Sequence, residues 1–262
     1  MDLQGFNLSK IYTTEEKSDI ERRLKEYLML GGLPEVYKFG KQMAVKIYED
    51  ILTKDILIRH QIKKVNEFKN LAKYLISNSS EETTYSKLSR VLNIKHISTV
   101  SNWVGYIEEV FLAFRLERFS PKLKQQFIAP KKIYCYDTGI VDSIGFKFSE
   151  NRGKTLENAI AIELQRRKEK NKELEVYYWK DATQHEVDFV IKGKTKVIQL
   201  IQSTYINSKD ELKEKRVKPL LRASSELKCD NLLFITWNYE GEQKIDGKVI
   251  SFIPLWKWLL SD

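Results

Sequence analysis

The apolar period of this chain changes along its length, and that change restricts it to a helical first half followed by an α/β second half. Up to about Leu112, apolar residues recur every three or four positions, the spacing of a helix that buries one face. In Glu186–Ile191 and Lys196–Thr204 they alternate every second position, as strands do. The polar stretch Ser149–Gly153 is the natural boundary, giving domains of 1–150 and 151–262. No run is apolar and long enough to cross a bilayer, and Met1-Asp2-Leu3-Gln4 does not begin a signal peptide. A cytoplasmic protein with no membrane partner is expected.

In the first half, Ile20, Leu24, Tyr27 and Leu28 form the stripe of a helix over Thr14–Leu30. Gly31-Gly32-Leu33-Pro34-Glu35 ends it: glycine stops the helix and proline keeps it from resuming. Further helices are expected over Gln42–Arg59 and Val65–Ser77. Thr84 can cap a short helix to Leu92, Asn93-Ile94-Lys95 makes a turn, and Ser98 can cap a longer helix to about Leu112. Strands over Phe111–Phe119 and Phe127–Tyr136, joined by the polar basic loop Ser120–Gln126, add a hairpin. The fold class read here is α+β / α/β: a winged helix-turn-helix (helix-turn-helix about 84–112, wing about 111–136) in a helical N-terminal half, then an α/β C-terminal half. The helix-turn-helix core is expected from Leu88, Val91, Leu92, Ile94, Ile97, Val100, Val104, Ile107 and Val110.

The start of the second helix of that unit offers Lys95, His96, Ser98, Thr99, Ser101 and Asn102, small polar donors suited to a major groove. Lys122 and Lys124 would face phosphate. A formal charge of +9 and a pI near 9.2 suit a polyanionic partner, and duplex DNA is the one expected. Lysines spread along the whole chain are equally the mark of a lysine-rich proteome, and such units also serve as protein-protein modules.

The α/β half reads as a helix over Thr155–Lys170, strands over Leu174–Lys180, Glu186–Ile191 and Lys196–Thr204, and a helix over Ser208–Ser224. Strands over Asn231–Trp237 and Lys248–Phe252 and a last helix from Pro254 follow. Gly153-Lys154-Thr155 looks like the end of a phosphate-binding loop, but Phe148 stands where that motif needs glycine. No ATPase engine is visible, and Thr155 reads as a helix cap. Two cysteines, Cys135 and Cys229, sit in apolar strands and read as buried thiols. The three histidines lack zinc-site spacing, so any metal would be held by oxygen.

Glu157 shares a helix face with Ile160, Ala161 and Leu164, the face that packs on the sheet, where an unpaired carboxylate is costly. Alternation sets Glu186, Asp188 and Val190 on one side of their strand and Val187, Phe189 and Ile191 on the other. In the next strand it groups Ile198, Leu200, Gln202 and Thr204. Gly193 joins the two strands in a tight hairpin. Carboxylates converging from a helix and two strands could hold magnesium or manganese and activate water for phosphodiester cleavage. The competing reading gives Glu157 a salt bridge and makes Asp188 a hairpin-closing group.

Gly31-Gly32-Leu33-Pro34-Glu35, Lys54-Asp55-Ile56, Tyr136-Asp137-Thr138-Gly139, Leu156-Glu157-Asn158 and Glu186-Val187-Asp188-Phe189 occur in an order that resembles a known family. It is that of archaeal and bacterial AAA+-type ATPases carrying a DUF4143 region, whose C-terminal part this chain looks like. The resemblance implies a winged helix and a domain similar to PD-(D/E)XK nucleases, without the P-loop domain. It matches Glu157 to the helix glutamate and Asp188 to the strand aspartate; were the site an active nuclease, Glu157, Asp188 and Gln202 would be the ligands and Glu186 or Lys180 would assist. Where the third motif needs an acid and a lysine, Gln202 and Thr204 stand, so the site loses negative charge for a cation and a cation for the transition state. The resemblance therefore implies little or no nuclease activity, and an ATPase partner or self-association as alternatives to DNA.

Overall fold

The computed structural model describes residues 12–146 and 151–261, a mixed α+β chain with a helical first half and a sheet-rich second half. Phe148 and Met1–Gln4 lie outside the described residues, as does part of the expected boundary Ser149–Gly153. Two compact units form. One gathers the described residues of Met1–Leu24, Glu117–Ile128 and Thr155–Asp262; the other gathers Lys25–Leu116 and Ala129–Lys154.

Helix α1 (Thr14–Leu30) has the bounds read from its stripe, and Ile20, Leu24, Tyr27 and Leu28 are all buried. Pro34 does the opposite of what was expected: it is the first residue of a new short helix, α2 (Pro34–Phe39). A proline at the first helical position has its fixed φ already suited to the helix and gives up an N–H that would be unpaired anyway. Helix α3 (Lys41–Asp50) runs on as a π-helical segment, Ile51–Ile58, where one continuous α-helix was expected. Tyr48, Leu52 and Ile56 recur every four residues and all enter the same core, and the wider π turn keeps that slower period on one face.

After α4 (Val65–Ser77) come β1 (Glu81–Thr83), α5 (Tyr85–Val91), α6 (Ile97–Glu109) and β2 (Ala113–Leu116). Thr84 caps α5, its hydroxyl accepting from the Lys87 N–H at 3.1 Å. Ser98 does not cap α6. His96 occupies that position without a side-chain bond, and the helix stops at Glu109, three residues short of expectation. The part of the β2–β3 connection over Glu117–Ile128 belongs to the other unit and contains a short helix, α7 (Leu123–Ile128), where the loop Ser120–Gln126 and the start of a strand at Phe127 were expected. Strand β3 (Lys131–Cys135) returns between β1 and β2, antiparallel to both, and α8 (Thr138–Ile144) follows. Leu88, Ile94, Val100, Val104 and Ile107 join Phe68, Leu71, Trp103 and Ile133 in one core. Val91 and Ile97, expected inside, are 54% and 49% exposed. They flank the α5–α6 turn, and Trp103 and Phe68 fill the interior instead, ring centroids 5.5 Å apart edge to face.

In the sheet-rich unit α9 (Arg152–Lys170) begins three residues before Thr155, which is inside the helix and not its cap. Strands β4 (Glu175–Lys180), β5 (Glu186–Lys192), β6 (Val197–Thr204), β7 (Leu232–Thr236), β8 (Gly241–Ile245) and β9 (Lys248–Pro254) form one sheet in the order β4-β5-β6-β7-β9-β8. The β6–β7 and β7–β9 pairs are parallel and the rest antiparallel. Helix α10 (Glu214–Leu227) packs Val217, Leu220 and Ala223 against Val187, Val190, Leu200 and Phe234, and α11 (Leu255–Leu260) ends the described chain. Strand β8 was not foreseen, because its alternation of half-buried and exposed residues carries no apolar stripe. Beyond β4, the Phe119 N–H donates to the Tyr178 carbonyl at 2.6 Å and the Tyr178 N–H to the Glu117 carbonyl at 3.0 Å, extending the sheet by a short segment of the β2–β3 connection.

Candidate functional site

Asp188 lies at an irregularity in β5. Tyr177 pairs with Val190 but Trp179 pairs with Val187, so Asp188 and Phe189 together face Tyr178, a β-bulge. Strict alternation placed Val187 and Val190 on opposite faces; the extra residue brings both into the core under α10. Asp188 is 2% exposed and Gln202, across the hairpin, is equally enclosed. The Asp188 Oδ2 accepts from the Ser203 N–H at 2.8 Å and from the Ser203 hydroxyl at 2.6 Å. The Asp188 N–H donates to the Gln202 Oε1 at 3.3 Å. Beyond the last paired residues, Phe189 and Ile201, side chains thus take over the bonding between the two strands.

Glu157 is half-buried on α9, and Thr204 is half-buried at the end of β6. Lys180 and Glu186 pair in register across β4 and β5, with Nζ 3.8 Å from Oε2. Among the described residues no group of three or more His, Cys, Asp and Glu side chains could hold a metal ion. The ligands expected from the sequence, Glu157 and Asp188 with Gln202, include only two carboxylates, and the Gln202 carbonyl already accepts a strand N–H.

The β4–β5 turn holds a cluster that sequence reasoning missed. The buried Asp181 carboxylate accepts from the Thr183 N–H at 2.7 Å and the His185 N–H at 2.9 Å, and stands 2.9 Å from an Arg222 nitrogen and 3.1 Å from the His185 Nδ1. The spacing Asp181-Ala182-Thr183-Gln184-His185 was the available signal, since a short polar run after a strand ends in such a side-chain-to-backbone turn. Burial pushes the Asp181 carboxyl up, but the bonds from Thr183 and His185 outweigh it and hold it down, at about 2. The ordinary value is 3.8, so this group stabilises the fold fully above about pH 4 and loses that contribution as pH falls toward 2. Asp181→Asn is expected to cost about 2 kcal/mol at pH 7 and almost nothing at pH 2. Urea unfolding at several pH values checks this; a constant gap between variant and wild type would contradict it.

In the helical unit, Lys95, His96, Ser98 and Asn102 are exposed and Thr99 and Ser101 half-buried. All six lie at the turn before α6 or in its first two turns. None of these side chains makes a hydrogen bond or ion pair among the described residues, and Arg90 on α5 is likewise exposed and unpaired. Lys122 and Lys124, in the other unit, are exposed at the start of α7. Among the described residues no helix is long and apolar enough to cross a membrane.

These features define a two-unit α+β chain with a polar, unpaired helix start in one unit and an enclosed carboxylate at a sheet bulge in the other. The chain belongs to the family described as a domain of unknown function, DUF8612, whose model matches residues 21–151. A second domain of unknown function, DUF4143, matches residues 152–258. The uncharacterized protein MJ1544 of Methanocaldococcus jannaschii is 33% identical over 278 aligned residues, covering 100% of this chain and 60% of its own length. An uncharacterized protein of Haemophilus influenzae is 22% identical over 250 residues, 90% of this chain and 58% of its own. The chain thus spans about three fifths of the length of these curated relatives. No solved structure matches it.

Proposed function

We propose that this is a DNA-binding protein whose helical unit contains a winged helix-turn-helix and whose sheet unit is a degenerate, inactive nuclease-like domain. The observation that carries the reading is the start of α6, where six donor-bearing side chains stand without partners among the described residues after a two-helix turn. A side chain with no partner inside the protein is free to bond to base edges and phosphates. The order α4, β1, α5, α6, β2, β3, with β3 between its two neighbours, supports a winged helix. In the other unit the succession α9, β4, β5, β6, α10, β7, with an antiparallel meander followed by a parallel β7, supports a nuclease-like ancestry. Its chemistry points away from cleavage, because Asp188 and Gln202 are taken up in strand-to-strand bonds and Thr204 supplies no cation.

The test is binding of a fluorescent duplex of about 25 base pairs over a range of salt. The log–log slope is expected to be negative, and Arg90→Ala with Lys95→Ala should flatten it by about 2, the share of two phosphate contacts. A salt-independent isotherm would sink the proposal. Manganese-dependent nicking of plasmid that Asp188→Asn abolishes would instead establish the nuclease.

A further inference from the structure

The β2–β3 connection carries a feature that phosphate binding leaves unused. Leu123, Phe127 and Ile128 on α7 are 62%, 64% and 72% exposed, and no residue of α7 is buried. Three large apolar side chains in a six-residue helix form a concentrated patch, unlike scattered surface leucines. The turn beneath it is fixed. The Ser120 hydroxyl accepts from the Lys122 N–H at 3.2 Å and donates to the Gln125 Oε1 at 2.9 Å, and the Gln126 Nε2 donates to the Ser120 carbonyl at 2.9 Å. Phe119 anchors the turn, packing on the core under α10 and meeting Tyr177 edge to face at 5.6 Å. An exposed apolar patch held by an organised turn is presented, not collapsed.

Its surroundings select the occupant. From Arg118 to Tyr136 there is no Asp or Glu, while Lys122 and Lys124 flank Leu123 and are both exposed. An anionic partner with apolar surface behind its charges fits, and a nucleic acid has that character: phosphates outside, base faces within. Proteins that wedge Phe, Leu or Ile between base steps while lysines hold the adjacent phosphates combine these two elements. Two of the three apolar residues here are aliphatic, which favours a wedge over the aromatic platform that stacks single-stranded bases.

We infer that α7 is a wedge that enters a duplex DNA step, with Leu123, Phe127 and Ile128 unstacking the bases and Lys122 and Lys124 on the flanking phosphates. The inference rests on the DNA-binding reading and adds a deformation of the DNA to it. Because the three side chains are more than half exposed, replacing them leaves the folded core intact. The experiment uses the full chain and a duplex carrying 2-aminopurine at a flexible TA step, with anisotropy for affinity and 2-aminopurine fluorescence for unstacking. Wild type should raise the fluorescence at saturation. The triple variant Leu123→Ala, Phe127→Ala, Ile128→Ala should lose that rise and bind about tenfold more weakly at an unchanged salt slope. Lys122→Ala with Lys124→Ala should keep the rise at saturation and flatten the slope by about 2. Salt-dependent binding without a fluorescence rise, or a triple variant indistinguishable from wild type, overturns the wedge and leaves the DNA-binding reading standing. The wedge is equally overturned if an acidic amphipathic peptide binds wild type but not the triple variant while DNA binding is equal in both. Absence of salt-dependent binding by wild type overturns both.

Discussion

Gly139→Ala is expected to destabilise the helical unit by at least about 3 kcal/mol, enough to unfold a domain of ordinary stability at moderate temperature. A Cβ at this position would lie inside the van der Waals shell of the Leu30 carbonyl and 2.8 Å from the Gly31 nitrogen. Both obstacles are backbone, so neither can swing aside. What would have to separate is the junction between the C-terminus of α1 and the N-terminus of α8. There the Asp137 carboxylate accepts from the Gly32 N–H at 2.7 Å and the Ile140 N–H at 2.9 Å, and the Thr138 hydroxyl donates to the Tyr27 carbonyl at 3.0 Å. Each bond to a carboxylate of this kind contributes about 1.5–3 kcal/mol, so losing even one is a large effect. Gly31 is fixed twice over, by a φ of +78° and by the Asp137 carboxylate in the space a side chain would need. Two controls separate crowding from chain entropy. Gly40 has a φ of +82° with a ψ of 177°, a conformation essentially reserved for glycine, but open space around it, and alanine there should cost about 1–3 kcal/mol through strain alone. Gly105, inside α6 with nothing near, should gain roughly 0.5–1 kcal/mol as alanine. Urea unfolding followed by far-UV circular dichroism ranks the three; Gly139→Ala no worse than Gly40→Ala would show that the junction yields.

This junction also explains which sequence signals were legible. The Gly31-Gly32 and Asp137-Thr138-Gly139 segments were recognisable as motifs, but their reason is a contact between residues more than a hundred positions apart, which no local pattern encodes. Elements whose ends are set by their own residues were readable: α1 and α4 by their apolar stripes and α5 by the Thr84 cap. Elements decided by tertiary context were not. The π-helical run after α3 follows a four-residue spacing close enough to 3.6 to pass as an ordinary helix. The segment Glu117–Phe119 pairs with Tyr178 because an open strand edge is available there, not because of its own composition. In the candidate site, the enclosure of Asp188 was legible from its apolar neighbours, whereas the bulge was not, since period-2 reasoning has no means of inserting an extra residue.

That bulge gives Asp188 a structural duty, and the size of that duty can be measured. Asp188→Ala is expected to cost about 3 kcal/mol, because it removes two bonds at once and leaves the Ser203 N–H and hydroxyl enclosed without their acceptor. Asp188→Asn keeps one acceptor oxygen and should cost roughly half as much. In a double-mutant cycle, Ser203→Ala should recover about 1 kcal/mol of the Asp188→Ala loss, since one of the stranded donors is then gone. Catalytic carboxylates behave in the opposite way: they are held for a ligand, and replacing them commonly leaves stability unchanged or raises it. Thermal unfolding with and without manganese completes the test. If Asp188 serves the strands, manganese leaves the gap between wild type and Asp188→Ala as it was. If manganese stabilises wild type alone, the ion binds through this carboxylate.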